Sequence, residues 1–113
     1  MPRSGQFGAY VYMLECADGS YYVGITRREY LEERISAHEQ GLIPGYTSTR
    51  RPVKVVWSDH FTWIIDAIAA ERRIKGWSRV KKQALIRGDW DALQHLAKRR
   101  GGKPRKEEGD KAG

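Results

Sequence analysis

A chain of 113 residues, 40% of them hydrophobic, suits one compact domain and is too apolar for a disordered polymer. Its 21 Lys and Arg against 14 Asp and Glu leave a net charge of +7; such an excess points to a polyanion, nucleic acid or a membrane surface, with solubility as the plainer use. One cysteine, Cys16, excludes an internal disulfide and a cysteine-built zinc site. It also fits a reducing compartment.

The opening MPRSGQFGAY holds no apolar stretch, so no signal peptide is expected, and residues 1–7 read as an N-terminal extension. No apolar run nears the roughly 20 residues of a membrane span, so a cytoplasmic protein without membrane contact is expected. Ala9 to Cys16 alternates and is rich in strand formers. Asp18-Gly19 signals a hairpin, with Tyr21 to Ile25 as the return strand. Thr26 and Glu29 have capping-box spacing, which predicts a helix from Thr26 to about Glu39 with Gly41 just past its end. Residues 41–51 read as an irregular basic loop broken by Pro44 and Gly45. Pro52 to Trp57 reads as a third strand. A helix is predicted from about Trp63 to Lys75, ended near Gly76. A third follows Ser78 and runs through Arg87, and a fourth, capped by Asp89, spans Trp90 to Lys98. Residues 100–113 read as a disordered charged tail, which leaves 8–99 as the folded domain. The order β-β-α-β-α-α-α gives an α/β fold, a small sheet with helices packed on it.

The turn decides which tyrosines share a face. A two-residue Asp18-Gly19 turn pairs Cys16 with Tyr21. A three-residue loop with a left-handed Gly19 pairs Cys16 with Ser20 and puts Tyr10, Tyr12, Tyr22 and Gly24 together. The second is favoured, because it separates a polar aromatic face from an apolar face of Val11, Met13, Tyr21, Val23 and Ile25. Ordinary amphipathic strand tyrosines fit the pattern as well. In the first helix, Arg34 and His38 are spaced i, i+4 beside the Leu31 and Ile35 stripe. In the second, Ile64, Ala67, Glu71 and Ile74 share one stripe, which places a carboxylate in an apolar row. Such a carboxylate is either a structural ion pair or a ligand for a hard metal. Phosphodiester hydrolysis asks for an oriented water, an offset to phosphoryl charge and a stabilised leaving oxygen. Two phenols, a guanidinium and one carboxylate meet those demands if they converge.

Tyr10-Val11-Tyr12 followed by Tyr22-Val23-Gly24 resembles the two signature tripeptides of the GIY-YIG nuclease family, in its small stand-alone branch, and is similar to the N-terminal cleavage domain of the excinuclease that belongs to that family. Tyr10 stands where that family's first tripeptide opens on a small residue. Arg34 in EERISAH matches the family's helix arginine, with His38 one turn on, and Glu71 in AAERRIKGWSR matches its metal-binding glutamate. The resemblance covers about residues 8–88. It implies a three-stranded antiparallel sheet flanked by helices and one-metal hydrolysis of DNA. Tyr12 would activate the water, Tyr22 would hydrogen-bond water or phosphate, and Arg34 would stabilise phosphoryl charge. His38 would act behind them, and Glu71 would bind Mg²⁺ or Mn²⁺. Some members carry a further histidine after the first helix; this chain has Tyr46, Thr47 and Ser48 there, and it holds no asparagine for the late contact that others make.

Arg27, Arg28, Arg50, Arg51, Arg72, Lys75 and Arg79 are the expected contacts to a phosphate backbone. No base-reading motif is present, so low sequence specificity, a role in repair or recombination and a monomer are expected. A module that keeps the fold and binds nucleic acid without cutting it is the alternative. The four tryptophans, Trp57, Trp63, Trp77 and Trp90, are expected to fill or cover the core.

Overall fold

The computed structural model describes residues 8–101. The N-terminal extension and the tail beyond 101 lie outside the described residues. Two compact units divide after Gly76. The first holds strand β1 (Ala9–Glu15), strand β2 (Tyr21–Arg27), a 3₁₀ turn (Arg28–Tyr30), helix α1 (Leu31–Glu39), strand β3 (Lys54–Phe61) and helix α2 (Ile64–Lys75). The second holds helices α3 (Arg79–Arg87) and α4 (Trp90–Gly101). The strands form one antiparallel sheet in the order β2-β1-β3. With the flanking helices this is the expected α/β architecture.

The hairpin takes the three-residue form. Gly19 has φ +85°, its N–H donates to the Cys16 carbonyl at 2.9 Å, and the Cys16 N–H donates to the Ser20 carbonyl at 2.8 Å. Only a residue that tolerates positive φ closes this loop cheaply. Tyr12 therefore faces Gly24, and Leu14 faces Tyr22. β1 is the central strand and is covered on both faces. Val11 and Met13 are buried on one side, and Tyr12 and Leu14 on the other, where Cys16 and Val53 complete a cluster against Tyr22 and Leu31. The aromatic face is thus a second core face, not an open one.

Three expectations are corrected. Thr26 does not cap a helix. It stays in the ladder opposite Tyr10, so β2 runs on to Arg27 and α1 starts only after the 3₁₀ turn, with no side-chain cap. Pairing with a central strand here outweighs a local capping pattern worth about 1 kcal/mol. β3 begins later and ends later than Pro52 to Trp57, because its partner β1 continues to Ala9, which pairs with Phe61. A register irregularity at Met13/Leu14 leaves Val56 as the extra residue. Of the tryptophans, Trp63 and Trp90 are 53% and 62% exposed and fill no core.

The helix ends follow the expected chemistry. The Gly41 N–H bonds the His38 carbonyl and the Leu42 N–H bonds that of Ala37, with Gly41 at φ +77°. Ser78 Oγ accepts from the Lys81 N–H and Asp89 Oδ1 from the Ala92 N–H. Ala84 and Leu85 are buried on α3. Among the described residues, no helix is long and apolar enough to cross a membrane.

Candidate active site

Tyr12 is the centre of the arrangement. It is 1% exposed, and its ring lies across Gly24 of the neighbouring strand so closely that a Cβ built there meets the phenol carbon and oxygen at 2.5 Å. The glycine of the second tripeptide is therefore required by a side chain and not by its backbone angles. The Tyr12 hydroxyl is 2.9 Å from His38 Nε2, and His38 Nδ1 is 2.7 Å from Thr47 Oγ1. His38 and Thr47 are both buried. Three polar side chains from β1, α1 and the following loop so form one hydrogen-bonded chain inside the core, as buried polar groups must.

The other expected residues converge on the same hydroxyl. Burial pushes the Tyr12 pKa up, and the Arg34 guanidinium opposes this by hydrogen bonding and by charge. Tyr22 and Glu71 lie close enough to raise it further. Burial lowers the His38 pKa, and the positive charge of Arg34 adds to the effect. The imidazole is therefore neutral at pH 7 and can accept a proton. The Tyr22 ring packs 5.1 Å from His38 and 6.5 Å from Tyr12. Arg34 is exposed and Tyr22 half-buried, so these two border the site on its solvent side. Arg34 also lines a cleft of about 310 Å³ with Thr26, Tyr30, Glu33, Ala37 and Ile43.

Glu71 sits on the buried face of α2 beside Ala67, Ala70 and Ile74, with its side chain 13% exposed. Its Oε2 is 2.7 Å from Lys75 Nζ, one turn along the same helix. The hydrogen bond to Glu71 raises the Lys75 pKa, and Tyr22 acts on the same ammonium. Among the described residues no three His, Cys, Asp or Glu side chains come together as a metal cage. A lone carboxylate still fits an ion of the Mg²⁺ kind. Such an ion keeps several waters and takes one or two carboxylates plus substrate phosphates.

Two participants escaped the sequence reading. Thr47 reaches His38 because residues 41–51 fold back on the hairpin. The Ala17 N–H donates to the Arg50 carbonyl at 2.9 Å, Arg50 Nε pairs with Asp18 at 3.2 Å, and the Arg50 N–H bonds the Thr47 carbonyl. No local pattern announces that return. The second is Lys75 as the partner of Glu71, which the i, i+4 spacing of opposite charges could have signalled. Of the expected phosphate contacts, Arg27, Arg28, Arg51 and Arg72 are exposed in the first unit. Arg50 is already engaged by Asp18 and the Tyr46 ring, 3.8 Å away, and Tyr46 in turn stacks on Tyr22. Lys75 is on Glu71, and Arg79 opens α3 in the second unit.

Known proteins are similar to this chain over the stretch that carries the site. Residues 8–84 match the family described as the GIY-YIG catalytic domain. A UPF0213 protein of Bacillus pumilus is 40% identical over 77 residues, 68% of this chain and 76% of its own length. One from Natronomonas pharaonis is 39% identical over 77 residues, covering 68% and 88%. The solution NMR structure of a UPF0213 protein from Bacillus halodurans is 34% identical, with a TM-score of 0.49 over 81% of this chain and 96% of that one. A match that runs from the first strand through Glu71 and beyond, joined to relatives of this identity and coverage, means that the chain belongs to the GIY-YIG family, among its small UPF0213 members.

Proposed function

We propose that this protein is a metal-dependent endonuclease that hydrolyses phosphodiester bonds in DNA. Its substrates would be defined by shape more than by sequence, as repair or recombination intermediates are. The observation that carries the reading is the hydrogen-bonded chain Tyr12–His38–Thr47, with Arg34, Tyr22 and Glu71 all acting on its outer hydroxyl. Arginine has only donors, so Arg34 takes a lone pair of the Tyr12 oxygen. The buried phenol proton still needs an acceptor, and His38 Nε2 is at hand. The Nδ1–H of His38 then donates to Thr47. In this arrangement Tyr12 takes a proton from the attacking water while its own passes to His38. The water oxygen bonds to phosphorus, and the bond from phosphorus to the departing sugar oxygen breaks. Arg34 holds the phosphoryl oxygens, and Tyr22 hydrogen-bonds water or phosphate. Glu71 would hold Mg²⁺ or Mn²⁺, which when bound offsets phosphoryl charge and stabilises the leaving oxygen. Arg27, Arg28, Arg50, Arg51, Arg72, Lys75 and Arg79 are proposed to track the backbone.

The test is incubation of the purified protein with branched, single-stranded and duplex DNAs in Mg²⁺ and Mn²⁺. Nicking is expected, with Glu71→Ala and Arg34→Ala each lowering the rate at least about 100-fold, the typical cost of losing one charge-stabilising group. Undiminished cutting by Glu71→Ala rejects the metal role. One feature favours the non-cutting alternative: Tyr12 is buried and already bonded, and Glu71 is already paired. Salt-sensitive DNA binding with no cleavage in either metal would establish that second reading.

A further inference from the structure

Glu71 does not wait as a bare carboxylate. The Lys75 ammonium lies 2.7 Å from its Oε2, closer than the surface pairs Arg50–Asp18 at 3.2 Å, Arg87–Asp89 at 3.3 Å and Lys54–Glu15 at 3.7 Å. The two partners differ in freedom. The glutamate side chain is 13% exposed on the packed face of α2, whereas the lysine side chain is 59% exposed. The carboxylate is therefore the fixed member, and the ammonium, on four rotatable carbons, is the one that moves. A divalent ion seated on a carboxylate at about 2.1 Å needs the space and the charge position that the ammonium now fills. Two cations that close repel each other, so one excludes the other.

Resting on the nuclease reading for the identity of the site, we infer that Lys75 is a built-in counter-cation. It occupies Glu71 in the nucleic-acid-free protein and yields the carboxylate to a divalent ion when a backbone phosphate draws the ammonium away. Lys75 is near enough to Tyr22 to feel its charge, and its side chain is 59% exposed and so open to an incoming phosphate. Phosphate and metal thereby load together, and an idle divalent ion is kept off the free enzyme. By linkage, the metal strengthens phosphate binding by the factor through which phosphate strengthens metal binding.

The decisive measurement is Mn²⁺ affinity without DNA, read by the loss of the free-ion electron paramagnetic resonance signal on titration. Lys75→Met is expected to bind Mn²⁺ roughly tenfold more tightly than the unsubstituted protein, within the usual range of coupling between linked sites. Adding Glu71→Gln to Lys75→Met is expected to abolish the gain. Lys54→Met, which removes the same charge elsewhere in the first unit, is expected to leave the affinity unchanged. Equal affinities in the unsubstituted and Lys75→Met proteins overturn the inference, as does an equal gain in Lys54→Met. A parallel cleavage assay separates the two readings. Cleavage with no gain on Lys75→Met rejects the counter-cation alone, and a Glu71-dependent gain without cleavage rejects the nuclease reading alone.

Discussion

His38 is a neutral, buried imidazole between two hydroxyls, and its titration should be visible in stability. Burial lowers its pKa, so the folded state binds the proton less tightly than the unfolded chain, whose value is about 6.5. The stabilisation is complete above that pH and is lost as the pH falls below it and through the folded value. The urea midpoint should drop between about pH 7.5 and pH 5, and His38→Gln should flatten that drop. Asp18 and Asp89, whose carboxyls their hydrogen bonds hold below the ordinary value, act only in a more acidic window. Thr47 is a positioning residue, since its hydroxyl acts through the imidazole it bonds. Thr47→Val keeps the shape and leaves Nδ1 unpartnered, which should cost about 1–3 kcal/mol of stability. It should also shift the His38 tautomer seen by ¹⁵N NMR, and Thr47→Ser should restore both.

Adjacent strands constrain each other most tightly where Tyr12 crosses Gly24. Gly24→Ala forces the phenol off its position, an overpacking expected to cost about 1–3 kcal/mol and to break the bond to His38. Gly76→Ala is the control: its Cβ meets nothing nearer than 3.7 Å, so unfolding midpoints should separate the two variants clearly. The same strand pairing explains why a capping pattern at Thr26 goes unused. Thr26 is a ladder residue opposite Tyr10 before it is anything else. α2 shows the converse. Its 3.6-residue period places Glu71 among alanines and isoleucines as written, and only the partner of that carboxylate remained open.

The net charge of +7 acts on the whole chain at once. If about four of the exposed cations meet phosphates, DNA affinity should fall roughly 100-fold between about 50 and 200 mM salt, whatever the DNA sequence. Fluorescence anisotropy with two unrelated duplexes checks this. A sequence-dependent affinity, or one insensitive to salt, would remove the backbone-tracking role of Arg27, Arg28 and Arg72. Arg50 should contribute least, because its guanidinium is committed to Asp18 and Tyr46.

Periodicity and turn chemistry settle what neighbours in sequence can settle. They favour the hairpin with its left-handed Gly19 and hence the common face of Tyr12 and Gly24, and they give the i, i+4 step from Arg34 to His38 and the acid on the packed stripe of α2. Folding decided the rest, because it depends on contacts between residues far apart in the chain. β1 became central, so the tyrosine face closed into a core. The loop after α1 returned to the hairpin and delivered Thr47 to His38. A polar side chain cannot be read as a relay member until the partner that satisfies it inside the core is known, and burial is a property of the assembled layers rather than of any one segment.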